Sequence, residues 1–278
     1  MNVAALIGSP VAHSLSPVIH QAAFDAADID WRYVAFDVAA GRADEALAAM
    51  RVLGIRGLSV TTPHKQQVAE CVDVLAPAAA ALRSVNTVVI DSQGRLVGHS
   101  TDGHGFVAAL HAEGIDVSGM NVALLGAGAA ARSLVSALDD AGAASIVVRN
   151  RTRSKIADVV ALAPSTTRAV AEDPGPELRA AGLLVNATSV GFGTDEIPLD
   201  PAILRPEQLV ADLVYHPLDT ALLCAARDVG ARTFDGLGML VQQAALQQQL
   251  WGIEPPDVGV MRAAAEAELA RRPVPAGR

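Results

Sequence analysis

Ten residues near the middle of the chain, Val122 to Ala131, read VALLGAGAAA. A short apolar run that breaks at Gly-x-Gly-x-x-Ala and resumes as helix-forming alanines predicts a buried strand, a tight turn and a helix packed back onto the strand. Gly126 permits the turn, Gly128 lets an anionic group come close to the backbone, and Ala131 keeps helix and strand in contact. The first helical N–H groups then face outward, where a pyrophosphate is held. A strand buried on both faces needs parallel neighbours beside it and helices above and below. One decapeptide therefore constrains the fold of everything around it.

The rest of the chain supplies such neighbours. Strands are predicted at Val3–Ile7, Trp31–Phe36, Leu58–Thr61 and Val85–Ile90, with Leu96–Gly98 returning antiparallel through an Asp91–Arg95 turn. Further strands follow at Asn121–Leu125, Ser145–Val148, Leu183–Val185 and Leu209–Asp212. Helices are predicted at Pro17–Ala27, Gly41–Val52, from Pro63 and Lys65, from Thr101 to His111, and at Ala129–Asp140, Thr220–Asp228, Gly236–Trp251 and Asp257–Ala270, with Arg271–Arg278 frayed. Strand–helix alternation in two blocks means an α/β fold with mostly parallel sheets. Apolar residues make up 51% of 278, enough for a sizeable core.

Lys plus Arg total 21 against 30 Asp plus Glu, a net charge of -9, which excludes general nucleic-acid binding because phosphate neutralisation needs a basic face. No apolar run reaches about 18 residues, so no membrane partner is expected. Two distant cysteines, Cys71 and Cys224, argue for a reducing, cytoplasmic setting and against a disulfide scaffold. The seven histidines show no zinc-ligand spacing, and no metal is expected.

The end of the strand after the glycine turn selects the dinucleotide. Where an NAD site carries Asp or Glu about 20 residues after the glycines, this chain reads Arg149-Asn150-Arg151-Thr152-Arg153-Ser154-Lys155. Four cations in so acidic a chain suit the guanidinium contacts of a 2′-phosphate. A merely solvated basic helix start fits less well, because cations there oppose the helix dipole. The reading is NADP rather than NAD.

Polar residues also mark strand ends in the first hundred positions, where open α/β sheets bind ligands. Ser14 and Ser16 flank Leu15 on the first loop, and Ser16 is also placed to cap the helix that follows. Ser59 and Thr61 end the third strand, and Lys65 enters a helix behind Pro63. Asn86 and Thr87 interrupt an apolar strand, where Asn is disfavoured. Asp102 stands where a helix cap would. Taken singly, each has an ordinary structural explanation.

In order and spacing they carry more. Ser14-Leu15-Ser16-Pro17, Ser59-Val60-Thr61-Thr62-Pro63-His64-Lys65, Val85-Asn86-Thr87 and Ser100-Thr101-Asp102-Gly103 resemble the motifs of the shikimate dehydrogenases. The resemblance continues over nearly the whole chain, through Gly126-Ala127-Gly128, Asn150-Arg151-Thr152, Asn186-Ala187-Thr188-Ser189, Asp212-Leu213-Val214-Tyr215 and Asp235-Gly236-Leu237-Gly238-Met239-Leu240. It implies two α/β domains with a cleft between them: a substrate domain with a mixed sheet, 1–102 and 238–278, and a Rossmann-like NADP-binding domain, 103–237. It also implies reversible, NADPH-dependent reduction of 3-dehydroshikimate to shikimate, by a monomer or homodimer whose partner is that small molecule.

By the same resemblance, Lys65 and Asp102 are the catalytic acid–base pair, with the residue that hands over the proton left open. Ser14, Ser16, Ser59, Thr61, Asn86, Tyr215 and Gln243 resemble substrate ligands, Gln243 being preferred to Gln242 for its spacing from Met239. Gly126, Ala127, Gly128, Ala129, Ala130, Asn150, Arg151, Thr152, Lys155, Thr188, Ser189, Gly236 and Met239 resemble cofactor-binding positions.

Three departures matter. Ser59 and Ser100 stand where the family often has Asn, so a hydrogen bond to a ring hydroxyl is lost or passes to water. His64 reads as an exposed helix-start histidine, with a second proton donor as the alternative. The Ser-Leu-Ser form of the first motif also occurs among relatives that oxidise quinate, which keeps open a broader shikimate/quinate dehydrogenase with NAD use. A non-catalytic sensor of pathway intermediates is disfavoured, because Lys65 and Asp102 are both present.

Overall fold

The structure is a computed structural model and describes residues 1–170 and 174–272. The chain divides into two compact units, Met1–Gly105 with Val241–Arg271, and Phe106–Leu240 with Arg272. From residue 273 on, the expected frayed end lies outside the described residues.

The first unit begins β1 (Asn2–Gly8), α1 (Ser16–Ala26), β2 (Trp31–Asp37), α2 (Ala43–Val52), β3 (Gly57–Val60) and α3 (Lys65–Cys71). It continues β4 (Val74–Leu75), α4 (Pro77–Leu82), β5 (Thr87–Ile90), β6 (Leu96–His99) and the start of α5 (Asp102–Ala112). The sheet order is β2-β1-β3-β5-β6-β4. It is mixed: β1 pairs parallel with β2 and β3, whereas β5 runs antiparallel to both β3 and β6. The period-2 alternation of side chains splits β1 between two cores. Ala5 and Ile7 pack with Leu47, Met50, Leu58 and Val68 on one face, and Ala4 and Leu6 with Phe24, Tyr33 and Trp251 on the other. Each fully buried Leu or Ile there contributes about 1.5–3 kcal/mol.

The second unit holds β7 (Asn121–Leu125), α6 (Ala129–Asp140), β8 (Ser145–Arg149), α7 (Ile156–Val160), β9 (Thr167–Ala169) and α8 (Gly175–Ala180). Then come β10 (Leu183–Asn186), β11 (Leu209–Asp212), α9 (Ala221–Asp228), β12 (Arg232–Phe234) and the start of α10 (Gly236–Leu250), whose remainder returns to the first unit with α11 (Val258–Leu269). All its strand pairs are parallel, in the order β12-β11-β10-β7-β8-β9. Numbered from β7, that is the 3-2-1-4-5-6 order of dinucleotide-binding sheets, whose ligand crevice opens where the order reverses, beside β7 and β10. Among the described residues no helix is long and apolar enough to cross a membrane.

The elements absent from the expectation are β4, α4, α7, β9, α8 and β12, none of them longer than six residues. Runs that short complete too few periods for a hydrophobic pattern to show. One helix start needs correction. Ser16 is not the cap of α1: the helix begins at Ser16, no side chain caps it at Leu15, and the Ser16 N–H donates to Ser14 Oγ at 3.1 Å. Ser14 thus satisfies a terminal amide from two residues upstream. Asp257, expected as the first residue of the last helix, instead caps α11, accepting from Gly259 N and Val260 N.

Candidate active site

In the first unit, the carboxyl end of β3 and the start of β5 meet at one edge of the sheet because the two strands are antiparallel, with Ser59 opposite Thr87. β6 returns to that edge, pairing His99 with Thr87 and delivering Thr101 and Asp102 beside them. Asn86 stands just before β5 rather than within it, and its side chain is saturated. Its Nδ2 donates to Thr101 Oγ1 at 2.9 Å and Asp102 Oδ1 at 2.7 Å. Its Oδ1 accepts from Thr101 N at 2.9 Å and Thr87 Oγ1 at 2.8 Å. That answers why a carboxamide interrupts an apolar run: it is 2% exposed and leaves no buried polar atom unpaired.

Asp102 lies in the first turn of α5, but its carboxylate does not cap that helix. Oδ1 is held by Asn86, and Oδ2 accepts from Lys65 Nζ at 2.6 Å. The pair is only 20% and 16% exposed, so the ion pair is neither a surface contact nor shut away from a ligand. An ammonium steered by a carboxylate that is itself clamped by an amide can stabilise negative charge and exchange a proton. Ser14 and Thr61 are partly buried, and Ser16 is buried at 9% exposure. Gln243, on α10, is buried, and its backbone carbonyl accepts from Thr101 Oγ1 at 3.2 Å. Lys65, Asp102, Asn86, Thr101 and Gln243 are thus joined in one unit. Tyr215 belongs to the other unit, three residues past Asp212 at the end of β11, and burial pushes its phenol up.

Behind Gln243 lies a polar layer whose Tyr33 and Gln247 sequence reasoning missed, and it engages the hydroxyl of Ser59, an expected substrate ligand. Ser59, 3% exposed, accepts from Tyr33 Oη at 2.7 Å and donates to Gln247 Oε1 at 2.6 Å. Gln247 Nε2 donates to Gln243 Oε1 at 2.8 Å. Next to it, Gln248 Nε2 lies 3.0 Å from His20 Nδ1, and the His20 ring stacks on Tyr33 at 4.3 Å. The available signal is the spacing of Gln243 and Gln247, four apart on one helix face.

His20 is fully buried, and burial pushes its pKa down to about 3 from 6.5. The unfolded chain therefore binds the proton more tightly, and stability falls as pH falls from about 6.5 towards 3, by about 1.4 kcal/mol per unit. Urea melts at pH 7, 6, 5 and 4 should show His20→Phe losing less stability over that range than the parent; parallel losses would remove this account.

His64 also needs correction. It is fully buried rather than an exposed helix-start residue, with Nε2 2.8 Å from the Val38 carbonyl. A carbonyl only accepts, so Nε2 carries the proton. The ring links α3 to the segment after β2 and has no contact with Lys65 Nζ among the described hydrogen bonds.

In the second unit the glycine turn sits at the order reversal. Gly126 has φ +116°, and a Cβ there would come within 2.8 Å of the Ala187 carbonyl oxygen. Gly128 is different: its backbone is extended, and a Cβ would meet nothing within 4 Å. The chain's own packing does not demand a glycine there, so the bare backbone is open to an approaching group. No side chain caps α6, leaving the N–H groups of Ala129 and Ala130 facing that space. Ala127 and Ala131 are buried against the core.

The basic run is anchored to the same turn, because Gly126 N donates to the Arg149 carbonyl at 2.8 Å. Arg149 is partly committed, since its Nη1 donates to the Pro198 carbonyl at 2.7 Å. Asn150 folds onto the Thr152 carbonyl, while Arg151, Arg153 and Lys155 are exposed. On the other side, Asn186 Oδ1 accepts from Thr188 N and Thr188 Oγ1, shaping the loop that carries Ser189. Asn186 Nδ2 in turn donates to Asp212, whose carboxyl is raised by burial although Val214 N, Thr220 and Asn186 all donate to it. Gly236 and Met239 open α10, with Asp235 Oδ1 accepting from Leu237 N and Gly238 N. Glycine turn, open helix end and cationic loop together match the phosphates of a dinucleotide, including one beyond the pyrophosphate.

Comparison with known proteins identifies the family. A family model describing the shikimate dehydrogenase substrate-binding domain matches residues 6–88. A shikimate dehydrogenase (NADP(+)) from Symbiobacterium thermophilum is 42% identical over 283 residues, covering 98% of this chain and 96% of its own length. The solved shikimate 5-dehydrogenase of Thermus thermophilus, in complex with NADP(H) and shikimate, superposes with TM-score 0.88 at 37% identity, over 96% of this chain and 99% of that one. The ligand-free 5-ketofructose reductase of a Gluconobacter strain reaches the same TM-score at 32% identity, over 96% and 98%. Similarity this extensive, on a mixed-sheet N-terminal unit followed by a Rossmann-like one, places the chain in the shikimate dehydrogenase family.

Proposed function

We propose that the protein catalyses the reversible, NADP-dependent interconversion of shikimate and 3-dehydroshikimate. The observation that carries this reading is the Lys65–Asp102–Asn86 constellation, an acid–base pair fixed at a sheet edge lined with hydroxyl and amide groups. The substrate domain expected at 1–102 and 238–278 corresponds to the first unit, Met1–Gly105 with Val241–Arg271, and binds the substrate; the cofactor domain expected at 103–237 corresponds to the second, around Phe106–Leu240. NADPH, when bound, supplies the hydride, and NADP accepts it in the reverse direction. Reduction of the ketone builds negative charge on its oxygen, which the Lys65 ammonium stabilises and protonates. Asp102 orients that ammonium through Oδ2 and completes the proton relay, while Asn86 keeps the carboxylate from rotating.

Ser14, Ser16, Thr61 and Gln243, with Tyr215, supply hydrogen bonds to the carboxylate and ring hydroxyls, and Asn86 joins them by exchanging its Thr101 contact for the substrate. Gly126, Ala127, Gly128, Ala129 and Ala130 receive the pyrophosphate, and Asn150, Arg151, Thr152 and Lys155 the 2′-phosphate. Thr188, Ser189, Gly236 and Met239 face the nicotinamide end. The fit rests on the open backbone at Gly128 and on cations that Asp or Glu would have to replace in an NAD site.

The test is spectrophotometric cofactor reduction with shikimate and quinate, each crossed with NADP and NAD. The expected result is rapid NADP reduction with shikimate and turnover roughly tenfold slower or worse in the other three combinations. Comparable rates with quinate would mean the broader dehydrogenase. No turnover in any combination by protein that binds NADPH would remove the assignment.

A further inference from the structure

The loop after β10 is held by hydrogen bonds whose polarity follows from groups that only donate or only accept. Asn186 and Asp212 end neighbouring strands in register, and both are fully buried. Val214 N, a donor only, lies 3.0 Å from Asp212 Oδ1, so that oxygen accepts whether or not the carboxyl holds a proton. The branch of Asn186 that meets the same oxygen at 2.9 Å is therefore its NH2 group. The Val190 carbonyl, an acceptor only, takes the second hydrogen at 3.0 Å. Asn186 Oδ1 is left facing the loop, where Thr188 N donates to it at 3.1 Å. Val190 N donates to Thr188 Oγ1 at 3.1 Å, so the Thr188 hydroxyl spends its proton on Asn186 Oδ1 at 2.7 Å. The loop held in this way lies on the glycine turn: a Cβ at Gly126 would come within 3.2 Å of the Thr188 methyl as well as within 2.8 Å of the Ala187 carbonyl oxygen.

We infer that Asp212 is a positioning residue for the cofactor: it fixes which way the Asn186 amide points, and so holds the 187–190 loop on the glycine turn at the nicotinamide end. The inference rests on the proposed reading that Thr188 and Ser189 face that end. Asp212 is anchored independently of Asn186, because Thr220 Oγ1 donates to its Oδ2 at 2.8 Å and Val214 N to its Oδ1. It thus carries the position of the chain beyond β11 across to the loop beyond β10. With the Asn186 amide reversed, its NH2 would face the Thr188 N–H, its oxygen would face the Asp212 oxygen and the Val190 carbonyl, and the loop would lose its hold. A fully buried acidic residue thereby gains a purpose: it supplies an acceptor where an amide, a backbone N–H and a hydroxyl all donate.

The experiment compares, on the full chain, the Kd for NADPH with the Kd for adenosine 2′,5′-bisphosphate, which keeps the 2′-phosphate and lacks the nicotinamide. Fluorescence reads the first and calorimetry the second. Asp212→Leu removes the acceptor and keeps the bulk. It should raise the Kd for NADPH about tenfold and lower kcat about tenfold, leaving the Kd for the bisphosphate within about twofold. Asp212→Asn still offers an oxygen to Asn186 and Val214, so its Kd for NADPH and its kcat should stay within about threefold of the parent's. Should Asp212→Leu fail to fold, Asn186→Ala cuts the same link from its other end and leaves Asp212 its donors Val214 and Thr220. It should give the same split between the two ligands. A common loss for both ligands would make the link a part of the fold only and overturn the inference. Unchanged NADPH binding, or an Asp212→Asn variant as damaged as Asp212→Leu, would overturn it equally. A parent that binds NADPH without turning over shikimate would instead overturn the activity reading, and the binding comparison would still stand.

Discussion

Replacing Lys65 with methionine should lower kcat for shikimate oxidation by about a thousandfold, within the range for removing a general acid–base, and leave the Kd for NADPH within about twofold. The side chains are close in length, so the change removes the charge and the donor while keeping most of the packing. Asp102 loses its partner at Oδ2 but keeps Asn86 at Oδ1, so the carboxylate stays in place without an ammonium to orient. Since the pair is partly exposed, water can take up the abandoned oxygen, and the fold should lose little stability. Steady-state rates combined with NADPH fluorescence titration separate the two quantities. A kcat within tenfold of the parent would show that the proton comes from elsewhere, and a large fall in NADPH affinity would show that Lys65 serves structure.

The second large effect concerns cofactor choice. Arg151→Ala with Lys155→Ala should raise KM for NADP by roughly a hundredfold and leave KM for NAD unchanged, since each charge-assisted hydrogen bond to a phosphate is worth about 1.5–3 kcal/mol before solvent screening. Both residues are exposed, so the parent's KM for NADP should itself rise with ionic strength while that for NAD stays flat. Arg149 is left in place, because its guanidinium is bonded to the Pro198 carbonyl and its loss would disturb the fold. Equal rises for both cofactors would assign the cluster to the pyrophosphate or to general electrostatics instead.

What is legible in the chain alone follows a physical division. The glycine turn, the alternation of strands and helices and the hydroxyl-bearing strand ends are local patterns, written within a few residues of one another. Those residues stand where open α/β sheets bind ligands. What escapes is either too short to show a period, as with β4 and β12, or depends on partners far away in the chain. Ser59 and Gln247 are 188 positions apart, and Tyr33 offers no hint that its hydroxyl faces them. His64 reads as a surface residue because a polar side chain at a helix start is usually solvated; a carbonyl 26 residues upstream makes its burial tolerable. Ser16 reads as the cap whose amide-satisfying role Ser14 fills, a difference of two positions that depends on where the first helical φ and ψ begin.

The return of the last two helices to the first unit bears on how the chain is made. Trp251 completes the core under β1 and β2, α11 packs along α1, and Gln243 and Gln247 come from the same late segment. A ribosome releases Met1–Gly105 first, then must add Phe106–Leu240, on the order of ten seconds of synthesis, before those covering residues emerge. Once Leu240 has emerged the second unit has nearly all of its residues, and the first does not. Its outer strand β2, which leaves Val34 and Phe36 partly exposed even in the finished protein, waits with its neighbouring core uncovered. Nascent-chain rescue by chaperones would therefore act on the N-terminal sheet, and the emergence of Val241–Arg271 decides when that vulnerability ends.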